Sequence, residues 1–143
     1  MKLFPRYFTS KVSLFLFMSL GAVAGQNSAS SGHAVTDEIT LQSIRYASDA
    51  TARIRDLMLD PTAFTVLQVI AITKQEKDGR TSFRGCVHYV GSNSYGGRRQ
   101  QWGAYSVNKK GKLNSWLGGE GTHCNINKND VQTDVTGEVQ KSF

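Results

Sequence analysis

The sequence has only two cysteines and two prolines among its 143 residues. Two thiols are too few for a disulfide-dense small scaffold or a four-cysteine zinc site, and the scarcity of proline excludes a collagen-like or mucin-like chain. A glycine-rich phosphate loop, a nucleophile elbow and an HExxH zinc motif are also missing from the sequence. With 39% hydrophobic and 20% charged residues, the chain instead has the composition and length of one globular domain.

Residues 1–24 have the features of a secretory signal peptide. A basic start is followed by a short apolar stretch over residues 12–20 and by the small residues Ala22, Val23 and Ala24. The basic residues of the start are Lys2, Arg6 and Lys11. The alternative is an uncleaved membrane anchor, but the apolar stretch is short for the ~30 Å of hydrocarbon that such an anchor crosses. We therefore expect cleavage after Ala24, no stable transmembrane anchor in the mature chain, and a periplasmic or extracellular location.

Cleavage at this point changes the charge balance of the protein. It removes three of the 17 basic residues and none of the 11 acidic ones, which lowers the formal net charge from +6 to +3. The remaining charge is uneven, because residues 80–112 contain no acidic residue and seven basic ones: Arg80, Arg84, Arg98, Arg99, Lys109, Lys110 and Lys112. A modest basic region of this kind favours a polyanion or an envelope component as the partner.

The two cysteines, Cys86 and Cys124, are expected to form a disulfide with each other, since an exported protein folds in an oxidising compartment. Closing a loop of this length stabilises a protein by roughly 3–4 kcal/mol in the chain-entropy model. For a domain of this size, such a contribution is a large share of the whole free energy of unfolding.

The mature chain starts with a polar stretch that is followed by a predicted helix. Residues 25–35 are small and polar, which is typical of a flexible leader. Residues 36–59 place apolar side chains on one stripe at helical spacing, and Pro61 marks the end of the helix. The stripe consists of Ile39, Tyr46, Ala47, Ala50, Ile54, Leu57 and Met58. Its two alanines indicate a close approach to the surface that the helix covers.

Four short strands are predicted after the helix, over residues 63–73, 83–90, 98–107 and 112–117. They are rich in β-branched and aromatic residues and are separated by turn sequences, among them Asp78-Gly79. The expected fold class is α+β: a single domain over residues 36–124, with one N-terminal amphipathic helix packed on a four-stranded antiparallel β-meander and one disulfide. Residues 125–143 lack a hydrophobic period, and we expect a disordered tail there.

The best candidate for a binding surface is the basic and aromatic segment 91–105. Its glycine-containing loop and the following strand hold the candidate binding residues Asn93, Tyr95, Arg98, Arg99 and Trp102. Strand alternation places Arg98 and Trp102 on one face and Arg99 with Tyr105 on the other. An exposed face of arginine and tryptophan would bind a polyanion or stack on bases or sugars. The alternative, which is commoner for aromatic residues in strands, is that Trp102 or Tyr105 packs beneath the helix.

Metal binding and catalysis are weaker interpretations of the remaining residues. Cys86, His88, His123 and Cys124 are the ligand types of a zinc site, but their spacing matches no common zinc motif and a disulfide would consume both thiolates. His88 and His123 would have to converge to serve as acid and base in a small secreted hydrolase of RNA or of a cell-wall polymer. We therefore expect neither a cofactor nor a metal, and the hydrolase remains the alternative function.

Three short motifs lie between residues 53 and 105. Residues 55–64 end a helix at an Asp-Pro corner, residues 86–89 form a cysteine-containing strand, and residues 93–97 form an Asn-Ser-aromatic-Gly-Gly loop. Together these motifs resemble a loose group of small exported bacterial proteins of unknown function. Ala63 departs from the pattern of that group, which has a small hydroxyl residue there. The resemblance implies a bacterial exported domain and assigns no functional residue.

The favoured function is a small exported, non-catalytic module that binds its partner through residues 91–105. This interpretation requires Trp102 at the surface beside Arg98, since a tryptophan packed beneath the helix would contact no ligand. A further alternative is strand addition, in which an envelope or host partner pairs with an exposed edge of the sheet.

Overall fold

The computed structural model describes residues 30–92, 96–118 and 124–143, with side chains from residue 36 onward. The predicted signal peptide and the first residues of the predicted leader lie outside this part of the chain. Within the part that is described, no helix is both long enough and apolar enough to cross a membrane.

Helix α1 spans Ser30–Asp56 and packs one side against the sheet. Its buried residues are Ser43, Ala47, Ala50, Thr51 and Ile54, and Met58 continues this row just after the helix. The helix differs from the predicted one over residues 36–59, because it begins within the predicted leader and ends before Leu57, which is 56% exposed. A single 3₁₀ turn, Pro61–Ala63, follows, and the Thr62 N–H donates to the Asp60 carboxylate at 3.0 Å.

Five antiparallel strands form the sheet: β1 (Thr65–Gln75), β2 (Thr81–Ser92), β3 (Arg98–Val107), β4 (Leu113–Leu117) and β5 (Asp130–Asp134). Their spatial order is β4-β3-β2-β1-β5, so the predicted α+β class is confirmed and the predicted meander lies within a larger sheet. The two turns at one end of the sheet contain Gly79 and Gly111, whose φ angles of 80° and 76° suit glycine.

The prediction of a disordered tail over residues 125–143 is wrong. β5 pairs with β1 from Ile70 to Lys74, and a short helix α2, Thr136–Gln140, follows it. Val135 and Val139 belong to the hydrophobic core, and the ring of Phe143 lies 6.3 Å from that of Phe64. This segment lacks a hydrophobic period for two reasons. β5 is an edge strand that pairs with β1 through backbone hydrogen bonds, and Val135 and Val139 are the residues of this segment in the described hydrophobic core.

The core lies between α1 and one face of the sheet, where Ala47 and Ala50 meet Val69, Val87 and Tyr105. The predicted close approach of the helix is therefore present. The other side of the sheet, called the far face below, carries the alternate residues of each strand, including Cys86 and Trp102. The predicted disulfide between Cys86 and Cys124 is confirmed, with the two Cα atoms 5.6 Å apart, and it joins the chain before β5 to this far face.

Candidate functional site

The far face of the sheet holds two of the predicted binding residues. Arg98 pairs with Ser92 and Trp102 pairs with His88 across β2 and β3, and alternation puts both residues on the side away from α1. Arg98 is exposed and Trp102 is half-buried. The predicted pairing of an arginine with a tryptophan on one face is therefore present.

Arg99 and Tyr105 do not lie on this face. Arg99 is exposed but pairs with Gly91 on the helix-facing side of the sheet. Tyr105 lies on that same side and is only 1% exposed, so it is the aromatic residue of β3 that packs beneath the helix. Asn93 and Tyr95 lie outside the described residues.

Trp102 is stacked on His88. The two ring centroids are 4.5 Å apart and the ring planes differ by only 6°, since the residues are directly opposite each other in the register of β2 and β3. Both residues are half-buried, so part of the stacked pair is accessible to solvent. The result is a parallel stack of two aromatic rings on the far face, called the platform below.

Polar side chains surround this platform toward the end of the sheet where β3 begins. Arg98 Nη2 lies 3.4 Å from Thr65 Oγ1, which directs the guanidinium across β2 toward β1. Gln100 is exposed between Arg98 and Trp102 on the same face. We call the set His88, Arg98, Gln100 and Trp102 the aromatic–arginine surface.

The centre of the far face is occupied by the chain that follows Cys124. Arg84 donates to the backbone oxygen of Asn125 at 2.6 Å and forms an ion pair with Asp130, whose side chain is fully buried. Burial alone would raise the pKa of Asp130, but the Asn127 N–H and the Arg84 guanidinium together hold that pKa below its ordinary value. Arg84 therefore serves a structural ion pair and adds little free charge to the surface.

No contact among the described residues supports the hydrolase interpretation or the zinc interpretation. His88 is engaged by Trp102, while His123 lies outside the described residues, so their convergence stays untested. Both sulfurs of the hypothetical zinc set are bonded to each other in the Cys86–Cys124 disulfide. In the described ranges, no group of three or more His, Cys, Asp or Glu residues is placed to hold a metal ion.

A second group of residues, which the sequence interpretation missed, lies at the opposite end of the sheet. The β1–β2 turn and the β3–β4 turn lie side by side there, since alternate turns of a meander share an end. Lys77 of the first turn and Lys109 of the second line one groove of about 1020 Å³. The signal that could have found it is the pairing of two lysine-containing glycine turns in the predicted meander. We call this feature the hairpin groove.

No protein-family model matches the chain, and no curated protein and no solved structure shows significant similarity to it. The resemblance to small exported bacterial proteins therefore stays a prediction. The α+β class, the antiparallel sheet and the disulfide rest on the structure of this chain alone.

Proposed function

We propose that this protein is a small exported, non-catalytic binding module that takes a sparsely charged acidic glycan of a cell envelope on its aromatic–arginine surface. The observation that carries the proposal is the flat stack of His88 and Trp102 beside the exposed Arg98. Export is part of the proposal, supported by the signal-like residues 1–24 and consistent with the disulfide.

The chemistry of the surface suits a sugar polymer. The inner faces of the two stacked rings cover each other, so the apolar face of a sugar ring packs against the part of the platform that stays open to solvent. Gln100 supplies an exposed amide that can donate to and accept from hydroxyl groups. Arg98 supplies one cation with several N–H donors, which suits a single carboxylate or sulfate on the sugar next along.

The density of charge favours a glycan over a nucleic acid. Proteins that bind nucleic acids neutralise several closely spaced phosphates, and their affinity depends steeply on salt for that reason. On this face of β2 and β3, Arg98 is the one arginine without a carboxylate partner, because Arg84 of β2 is paired with Asp130 and Arg99 of β3 lies on the other side of the sheet. A polymer with widely spaced negative charges matches such a surface better.

Fluorescence anisotropy with labelled hyaluronate oligosaccharides tests the proposal. We expect Arg98→Glu to weaken binding by about tenfold, which corresponds to about 1.4 kcal/mol. Arg99→Glu is the matched control, since it makes the same charge change one residue away on the opposite side of the sheet, and it should change the affinity by less than about twofold. Raising the salt concentration should weaken binding to the wild type moderately.

Several outcomes would contradict this proposal. Equal losses from the two arginine variants would mean that the protein responds only to net charge, and tighter binding of single-stranded DNA than of hyaluronate would favour a nucleic-acid ligand. Another such outcome is shortening of the oligosaccharide or of an RNA during incubation. If His88→Ala abolished that cleavage, the result would favour the alternative function, a hydrolase.

A further inference from the structure

The hairpin groove lies between α1 and the strand ends, and it has an apolar floor. Tyr46 of α1 packs against Phe83 of β2, with ring centroids 5.2 Å apart and ring planes 51° apart. Val107, at the end of β3, lines the same groove, and Gln42 forms part of its helical wall. The volume of about 1020 Å³ is at the upper end of the range for sites that bury small ligands, so several residues of a peptide can enter.

The rim of the groove is basic. The turns and adjoining strand ends contain two acidic residues, Glu76 and Asp78, and six basic ones: Lys74, Lys77, Arg80, Lys109, Lys110 and Lys112. This end of the molecule therefore holds more positive charge than the aromatic–arginine surface does.

Both acidic residues are already engaged by their neighbours. Glu76 accepts from the Ser82 hydroxyl at 3.0 Å and from Lys74 Nζ at 3.2 Å, and these donors lower its pKa. Asp78 accepts from the Arg80 guanidinium at 2.5 Å, which lowers the pKa of Asp78 as well. The carboxylates therefore offset Lys74 and Arg80, and the field over the groove comes mainly from the lysines of the two turns.

Three lysines line the groove, and Lys74 is paired with Glu76. The other two, Lys77 and Lys109, come one from each turn and have no ion-pair partner in the portion of the chain that the structure describes. An occupant with negative charges at its two ends or along its length would complement them. The segments outside the described ranges offer no such occupant, since residues 1–29 and 93–95 contain no acidic residue and residues 119–123 contain only Glu120.

We propose that the hairpin groove binds an acidic peptide segment of a partner protein, with its carboxylates at Lys77 and Lys109 and an apolar side chain on the aromatic floor. A peptide fits better than a sugar polymer, because Phe83 is only 8% exposed and the ring of Tyr46 is inclined to it by 51°, so the two rings form a recess and not one continuous flat surface. An aliphatic side chain needs only a recess of this kind.

Fluorescence anisotropy with a fluorescein-labelled peptide of Asp-Leu repeats tests this second site on the oxidised protein. We expect salt-sensitive binding, and an Asn-Leu repeat of the same length should bind at least about tenfold more weakly, since it keeps the apolar side chains and lacks the charge. The double variant Lys77→Glu/Lys109→Glu should lose about tenfold or more, whereas Arg98→Glu/Arg99→Glu makes the same change in net charge elsewhere and should change binding by less than about twofold.

A neutral variant separates the groove from a diffuse basic surface. Gln42→Trp places a large side chain in the helical wall without changing any charge. It should therefore weaken binding of the acidic peptide and leave binding of hyaluronate unchanged. Thermal unfolding of each variant verifies that it is folded. The peptide site and the glycan site are therefore tested independently, with different ligands and different variants.

Three results would overturn this proposal. One is equal losses from the two double variants. Another is full binding by Gln42→Trp, which would leave only a diffuse charge effect. The last is a homodimer in sedimentation velocity that Lys77→Glu/Lys109→Glu dissociates, since the occupant would then be a second copy of this chain.

Discussion

At the scale of single residues, three glycines leave room for large side chains on one face of the sheet. Gly85, Gly91 and Gly103 all lie on the helix-facing side of β2 and β3. A Cβ atom at Gly103 would lie 2.6 Å from Ile54 Cδ1, and one at Gly91 would overlap the end of the Met58 side chain. Both neighbours are ends of flexible side chains, so a Cβ atom at Gly91 or Gly103 would require that side chain to shift.

Gly85→Ala should be strongly destabilising. The added Cβ would lie 2.2 Å from the backbone oxygen of Ile70 and 2.6 Å from the Tyr105 ring, and neither group can move freely inside the sheet. We expect the free energy of unfolding to fall by about 3 kcal/mol in urea titrations. Gly137→Ala is the matched control, since nothing lies within 4 Å of the new Cβ and alanine favours helix α2. A small effect of Gly85→Ala would contradict the packing described here.

Asp130 predicts how stability depends on pH. Its pKa is lower in the folded protein than the ordinary 3.8, so its contribution is present above that value and is lost as the pH falls through the folded pKa. Asp130→Asn should be less stable at neutral pH, and its stability should change less than that of the wild type between about pH 5 and pH 2.5. Circular dichroism during chemical unfolding measures both. The exposed Asp49→Asn on α1 is the control, and an unchanged acid dependence in Asp130→Asn would refute the role of this carboxylate.

At the scale of elements, the sequence predicts best those segments whose burial follows a local period. The stripe of α1 and the first four strands were found within a few residues, because alternate or helical spacing records which side chains are buried. Leu57 was misplaced in the stripe, since the helix ends at Asp56 and the chain then turns. β5 was missed because an edge strand such as Asp130–Asp134 depends on partners distant in sequence.

The same difference explains which parts of the site were predictable. Alternation along β3 correctly separates Trp102 from Tyr105, since the side-chain period of a strand is two. The ion pair of Arg84 could not be predicted from the sequence, because its partner, Asp130, belongs to β5, which shows no hydrophobic period. The stack of Trp102 on His88 depends on the register of two strands, which no residue pattern in either strand determines alone.

The anchoring of the C-terminal segment can be tested with two valines. Val139 is fully buried in the core, so Val139→Asp should cost about 3 kcal/mol or more of unfolding free energy. Val131 on β5 is 62% exposed, and Val131→Asp should cost less than about 1 kcal/mol. Equal, negligible effects in urea titrations would mean that the segment is not packed on the sheet.

At the scale of the whole molecule, the disulfide ties the segment before β5 to the centre of the far face. The bond closes a loop with a sequence separation of 38 residues, and its reduction should lower the free energy of unfolding by about 3–4 kcal/mol. Unfolding of the wild type with and without reductant measures this difference. The variant Cys86→Ala/Cys124→Ala is the control, and it should not respond to reductant; a wild type that also fails to respond would contradict the expected contribution.

The two ends of the sheet have different chemistries, and this division underlies both proposed sites. The aromatic–arginine surface combines a flat stack with one cation, and the hairpin groove combines a recessed floor with the turn lysines. Ligands of the two classes should therefore bind one molecule at the same time, because the sites lie at opposite ends and on opposite faces of the sheet.

The most direct measurement is an amide and indole chemical-shift titration of the isotope-labelled, oxidised protein with hyaluronate oligosaccharides. We expect the Trp102 indole N–H and the amides of His88, Arg98 and Gln100 to shift together and to saturate, while the amides of Lys77 and Lys109 stay unchanged. Shifts confined to the turn lysines, or no saturable shift at Trp102, would contradict the assignment of the far face as the glycan-binding surface.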